Sequence, residues 1–147
     1  MLSLLHIENI AVIECADISF DRGFNVLTGE TGAGKSIVID AISAILGERA
    51  YRDMIRTGTE RASVRAVFTE VPEFSWFAEN GVEYDPETVI SREIHLDGRN
   101  ICRVNGTLVN VSCLHKLGIQ LINIHGQHDS AALFDEENHL AFLDAFA

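Results

Sequence analysis

The apolar residues fall into runs of two different periods, and the switch between them divides the chain. Leu2 to Ile7 and Ile10 to Ile13 are short apolar stretches that read as strands, and Ile18-Ser19-Phe20 alternates before the turn residues Asp21, Arg22 and Gly23. Phe24 to Thr28 reads as a buried strand that ends at Gly29. From Ser36 the period becomes helical: Ile37, Ala41, Ile42, Ala44 and Ile45 share one broad face, and Gly47 is placed to stop the helix. Ala62 to Thr69 alternates again, with Val64, Ala66 and Phe68 on one side and Pro72 closing it. Thr88 to Leu96 and Asn100 to Val104 flank Asp97-Gly98, and Asn105-Gly106 follows; both dipeptides tolerate positive φ and predict hairpin turns. The section from about 62 to 109 is therefore expected to be an antiparallel β subdomain. Ser112 is positioned to cap a short helix that runs to Lys116 and stops at Gly118. Ile119 to Ile124 is then expected to be another apolar strand, leading into the polar cluster His125-Gly126-Gln127-His128-Asp129. Asp135 to Ala147 sets Leu140, Phe142, Leu143 and Phe146 among acidic residues, the pattern of an amphipathic helix.

Composition narrows the class. At 147 residues, 47% hydrophobic and 22% charged, the chain is long enough to bury a core and too apolar to remain disordered. Its formal net charge of −11 opposes direct binding to a phosphate backbone. Arg49, Arg52, Arg56, Arg61 and Arg65 cluster, but Glu48, Asp53 and Glu60 are interleaved with them, which reads as a mixed solvated face. Cys15, Cys102 and Cys113 form no CxxC pair, so they read as reduced core thiols of a cytoplasmic protein. No basic leader opens the chain and Asp40 breaks its richest apolar run, so neither a signal peptide nor a membrane span is expected.

The strongest chemical signal is Gly29-Glu30-Thr31-Gly32-Ala33-Gly34-Lys35-Ser36, a full match to G-x-x-x-x-G-K-[ST] between an apolar strand and a helix. Gly29, Gly32 and Gly34 allow backbone N–H groups to turn inward on phosphate oxygens, and the helix adds its unpaired N-terminal donors at the same place. Lys35 is expected to reach the β- and γ-phosphates, and the Ser36 hydroxyl to ligate Mg²⁺. No Asn-Lys-x-Asp run signals guanine, so ATP is the expected nucleotide.

Two residues compete for the role of handling the metal and the attacking water. Asp129 is the acid nearest a second apolar run, but it lies well past its end. Gln127 fits better: its amide can hold Mg²⁺ through the carbonyl oxygen and orient a water. A polar loop of His125, Gln127 and His128 with satisfied hydrogen bonds fits the residues equally well.

The stretches LSLLHIENIAVIE, FNVLTGETGAGKSIVIDAISAILGERA, IRTGTERASVRAVF, LDGRNICRVNG and INIHGQHDS, taken in order, resemble the N-terminal part of the RecN family of bacterial SMC-like ATPases. GETGAGKS and GQHDS are the most specific blocks. The resemblance implies an ABC-type head built from N- and C-terminal lobes that a long coiled coil separates in sequence, with ATP held between two heads. It implies that Gln127 is the glutamine-loop residue, acting on Mg²⁺ and water within the region 125–130, and it matches Arg56 to an arginine of SMC-type heads. The chain contains no LSGG-like signature, no catalytic glutamate at a strand end and no later switch histidine.

The expected fold is thus α/β: a P-loop NTPase, the ABC/SMC-type N-terminal head lobe over residues 1–147, with an antiparallel β subdomain and without the coiled coil and C-terminal lobe. The expected function is binding of MgATP as half of a composite head in DNA double-strand-break repair and recombination. Its implied partners are the C-terminal lobe, a second head, and DNA reached through the larger protein. A self-contained P-loop kinase or hydrolase using Asp129, and a non-hydrolysing ATP-dependent dimerisation module, are the alternatives.

Overall fold

The computed structural model describes residues 1–20 and 32–125. Among these residues six strands form one antiparallel sheet: β1 (Leu2–Ile10), β2 (Ile13–Ser19), β3 (Arg61–Phe68), β4 (Thr88–His95), β5 (Asn100–Val104) and β6 (Thr107–Val109), in the spatial order β2-β1-β3-β4-β5-β6. Three α-helices accompany them among the described residues: α1 (Gly32–Ile45), α2 (Ser75–Glu79) and α3 (Val111–His125). The antiparallel section therefore does not begin near residue 62. It includes the N-terminal hairpin, because β3 pairs directly with β1, Ala66 opposite Leu5 and Val64 opposite Ile7.

Alternation decides which face is buried. Leu5, Ala66, Ile90 and Val104 form one cross-strand row on the core side, and all four are fully shielded from solvent. Helix α1 lies against β1, β3 and β4 on this side and buries Ile37, Val38, Ala41, Ile42, Ala44 and Ile45. The opposite face carries exposed charged side chains, among them Arg61, Arg65 and Arg103.

The turns follow from their residues, with two adjustments. Asn105 and Gly106 both take positive φ, 50° and 85°, and join β5 to β6 in the two-residue turn expected of this pair. Between β4 and β5 only Gly98 is left-handed, at 97°; Asp97 instead accepts the Arg99 N–H on its carboxylate at 3.0 Å. Between β1 and β2 the break falls at Ala11-Val12 rather than at Glu8-Asn9, so β1 runs on to Ile10.

The segment after β6 departs most from expectation. Asn110, not Ser112, is the cap: its side-chain oxygen accepts the Cys113 N–H at 2.7 Å. The helix then continues through Gly118 to His125, so Ile119 to Ile124 is helical and not a strand. Leu114, Leu117, Leu121 and Ile122 are buried at helical spacing, and an apolar run of this length satisfies either period until its packing partner is fixed. Gly118 is where α3 meets the chain just past the end of α1: a Cβ there would collide with the carbonyl of Leu46. The three cysteines are not all core thiols, since Cys102 is buried, Cys113 is half-buried and Cys15 is exposed.

Candidate nucleotide-binding site

Gly32, Ala33, Gly34 and Lys35 form the first turn of α1, so the helix opens four residues before Ser36, and Ser36 is exposed on it. The first N–H groups of a helix have no intrahelical acceptor, and they add to the positive end of its dipole. This turn therefore offers the donor array that a phosphate requires. Gly29, Glu30 and Thr31 lie outside the described residues, as do Gln127 and Asp129. The expectation that Gln127 ends a strand loses its basis up to residue 125, because the segment leading there is α3.

What holds α1 in place is better defined at its far end. Helix α1 has 14 residues, about 21 Å at the usual rise. Gly47 at φ 88° ends it: the Gly47 N–H donates to the Ala44 carbonyl and the Glu48 N–H to the Ser43 carbonyl, each at 3.1 Å. Arg92 of β4 then closes the same end. Its Nη1 donates to the Ala44 carbonyl at 2.7 Å and to the Glu48 carbonyl at 2.5 Å, and its Nε donates to Asn100 Oδ1 at 3.1 Å. Arg92 is only 2% exposed. Burial pushes its pKa down, against the opposing influence of Cys102 and Glu48, and the carbonyls of a helix C-terminus are the natural partners for a cation kept in such a place.

Arg92 also has a signal in the sequence. On β4 the inward positions are Thr88, Ile90, Arg92 and Ile94, so strict alternation sends an arginine into the core. A cation at such a position needs a built partner set.

The remaining residues singled out by sequence divide clearly. Arg49, Arg52, Arg61 and Arg65 are exposed, as a mixed solvated face requires, and Arg61 pairs with Glu93 at 3.1 Å. Arg56 is half-buried, and its N–H donates to the Asn9 carbonyl at 2.8 Å, which fixes its backbone to the end of β1. Beside the end of α1, a groove of about 470 Å³ is lined by Gly47, Arg92, Asn100 and His115 among others. It lies a helix length from the phosphate-loop turn. His115 Nδ1 stands 3.1 Å from a Glu48 carboxylate oxygen across the α1–α3 junction, close enough for an ion pair but not aligned as a hydrogen bond.

The family described as "AAA domain" matches residues 4–138. The chain belongs to that family. Membership implies nucleotide binding, usually with Mg²⁺. Among curated relatives, the DNA repair protein RecN of Bacillus subtilis is 45% identical over the whole chain, which spans 26% of that relative's length. RecN of Halalkalibacterium halodurans is 43% identical and is spanned to 27%. The motif resemblance to RecN thus extends over the entire chain. Among solved structures, one concerning ATP-driven dimerization and DNA-stimulated activation of SMC ATPases aligns over 99% of both chains with a TM-score of 0.63 at 22% identity, a likeness of fold. Among the described residues, no helix of this AAA domain is long and apolar enough to cross a membrane.

Proposed function

We propose that this chain is the N-terminal lobe of a RecN-like, SMC-type ATPase head that binds MgATP through Gly29 to Ser36 and acts in DNA double-strand-break repair and recombination. The observation that carries this reading is the coincidence of the G-K-S end of the motif with the first turn of an α-helix whose other end is fastened to the sheet. Lys35 would neutralise the β- and γ-phosphates, Ser36 and Gln127 would complete the Mg²⁺ shell, and Gln127 would orient the attacking water. The bound nucleotide supplies the reactive phosphoanhydride; the lobe supplies binding and orientation.

Catalysis in this reading is shared. The catalytic glutamate is assigned to the C-terminal lobe of the same head and the signature loop to a second head, and DNA is engaged by the larger bacterial protein in the cytoplasm. The lobe itself carries a net charge of −11 and is expected to leave duplex DNA unbound at physiological salt. The test is calorimetry followed by phosphate release. Lys35→Ala should abolish MgATP binding while leaving the circular dichroism spectrum unchanged, and the wild-type lobe should bind ATP but turn it over far more slowly than about 1 s⁻¹ until the C-terminal lobe is added. Equal ATP affinity in wild type and variant would refute the assignment of the loop. Brisk Lys35-dependent turnover by the lobe alone would refute the shared site.

A further inference from the structure

The solvent face of the N-terminal hairpin gathers metal-ligating side chains that nucleotide binding does not use. The pattern is His6-x-Glu8 on β1 and Cys15-x-Asp17 on β2. Residues two apart on a strand share a face, and the antiparallel register sets His6 directly opposite Asp17 and Glu8 directly opposite Cys15. Directly opposed side chains have Cβ atoms about 5 Å apart, so the four form a compact square on the sheet. Ligand atoms of His6, Glu8 and Cys15 all lie within 4.8 Å of one another. A metal bonded to imidazole nitrogen and carboxylate oxygen at about 2.0–2.2 Å, and to thiolate sulfur at about 2.3 Å, needs donors at such separations after small rotamer changes.

The two nitrogens of His6 face different partners. Nδ1 stands 2.6 Å from Asp17 Oδ1, and Nε2 stands 3.0 Å from Glu8 Oε1. With Nδ1–H donating to Asp17, the free electron pair resides on Nε2, on the side where Glu8 lies. A carboxylate that holds the rear nitrogen of a histidine so that the front nitrogen can bind metal is the usual support of a histidine ligand.

We propose that His6 Nε2, the Glu8 carboxylate and Cys15 Sγ form a binding site for a zinc-class divalent cation, with Asp17 as the positioning residue for His6. The mixed nitrogen, oxygen and sulfur donor set selects Zn²⁺ or Co²⁺ over the hard Mg²⁺ used with nucleotides. Three protein ligands leave a fourth position for water. On binding, a metal–sulfur bond forms and the thiol proton passes to solvent. Arg65 of β3 stands opposite His6 on the same face and is the nearby cation that opposes the metal's charge.

The test is titration of the intact chain with Co²⁺ in nucleotide-free, Mg²⁺-free buffer, read by the thiolate-to-cobalt charge-transfer band. The band should appear at one equivalent, disappear when Zn²⁺ is added, and be absent in Cys15→Ser. Asp17→Asn should retain the band and weaken binding about tenfold to a hundredfold. Cys15 and Asp17 are exposed, so neither substitution threatens the fold, and circular dichroism checks this. A wild-type chain without the band, or a band that survives in Cys15→Ser, would overturn the site. Unchanged affinity in Asp17→Asn would overturn the positioning role.

Discussion

Arg92 donates a hydrogen bond of 2.7 Å to the carbonyl of Ala44, joining the middle of β4 to the last turn of α1 across 48 positions of sequence. The relationship matters because α1 begins with the G-K-S turn. Anchoring one end of a rigid helix fixes where its other end sits against the sheet. Arg92 thus fastens the C-terminal end of α1 to the sheet, at the opposite end of the helix from Gly32 to Lys35.

Replacing Arg92 with Met should show how much this anchor stabilises the fold. The apolar stem is kept, but the carbonyls of Ala44 and Glu48 and the side chain of Asn100 lose their donor in a buried place. Bonds from a charged group contribute about 1.5–3 kcal/mol each, and they are not additive. A loss of about 3 kcal/mol in urea unfolding is expected. Arg92→Lys should recover less than half of it, because an ammonium cannot reproduce the planar fork that spans carbonyl and amide partners.

Gly118→Ala offers the opposite lesson about helix propensity. In a helix interior alanine is favoured over glycine by about 1 kcal/mol. Here the added Cβ meets the Leu46 carbonyl and forces α3 away from α1. The net effect should be destabilisation of about 1–3 kcal/mol, the usual cost of overpacking, seen as a lower thermal midpoint. A rise in the midpoint would show that the two helices are not in close contact.

Stability should also fall with rising pH through His6. Hydrogen bonds to Glu8 and then Asp17 raise its pKa above the ordinary 6.5, so the folded chain holds the proton more tightly than the unfolded one. The contribution is complete below pH 6.5 and is lost as pH rises through the folded-state value. A wild-type chain should therefore lose stability over that window relative to His6→Gln. An NMR titration of the imidazole should place its midpoint above 6.5, and Asp17→Asn should lower it.

The cysteines should react in the order of their exposure. Burial pushes the Cys102 thiol up, only partly offset by Arg92, so its reactive thiolate is scarce as well as shielded. A maleimide should label Cys15 first and Cys102 only at the rate of unfolding. Labelling of Cys102 as fast as Cys15 in native buffer would mean that the sheet core opens readily.

Several features of this protein were written locally in its residues. Asn105-Gly106 specified its turn because few other pairs take positive φ twice, and the alternation in Arg61 to Phe68 specified which side chains enter the core. The G-x-x-x-x-G-K-S run predicted phosphate binding from its glycines, Lys35 and Ser36 together with the helical period that follows. Ile119 to Ile124 was not legible in this way. Its apolar run suits a strand or a helix, and the close approach of α3 to α1 at Gly118, together with the Asn110 cap, accompanies the helical choice. Arg92 lay between these cases: alternation pointed it inward, but only the folded chain brings two carbonyls from the end of α1 to meet it. The His6 and Cys15 cluster likewise exists only in the register of β1 with β2. Local residues set backbone torsions and facing, whereas contacts between segments distant in sequence depend on the whole chain closing around one core.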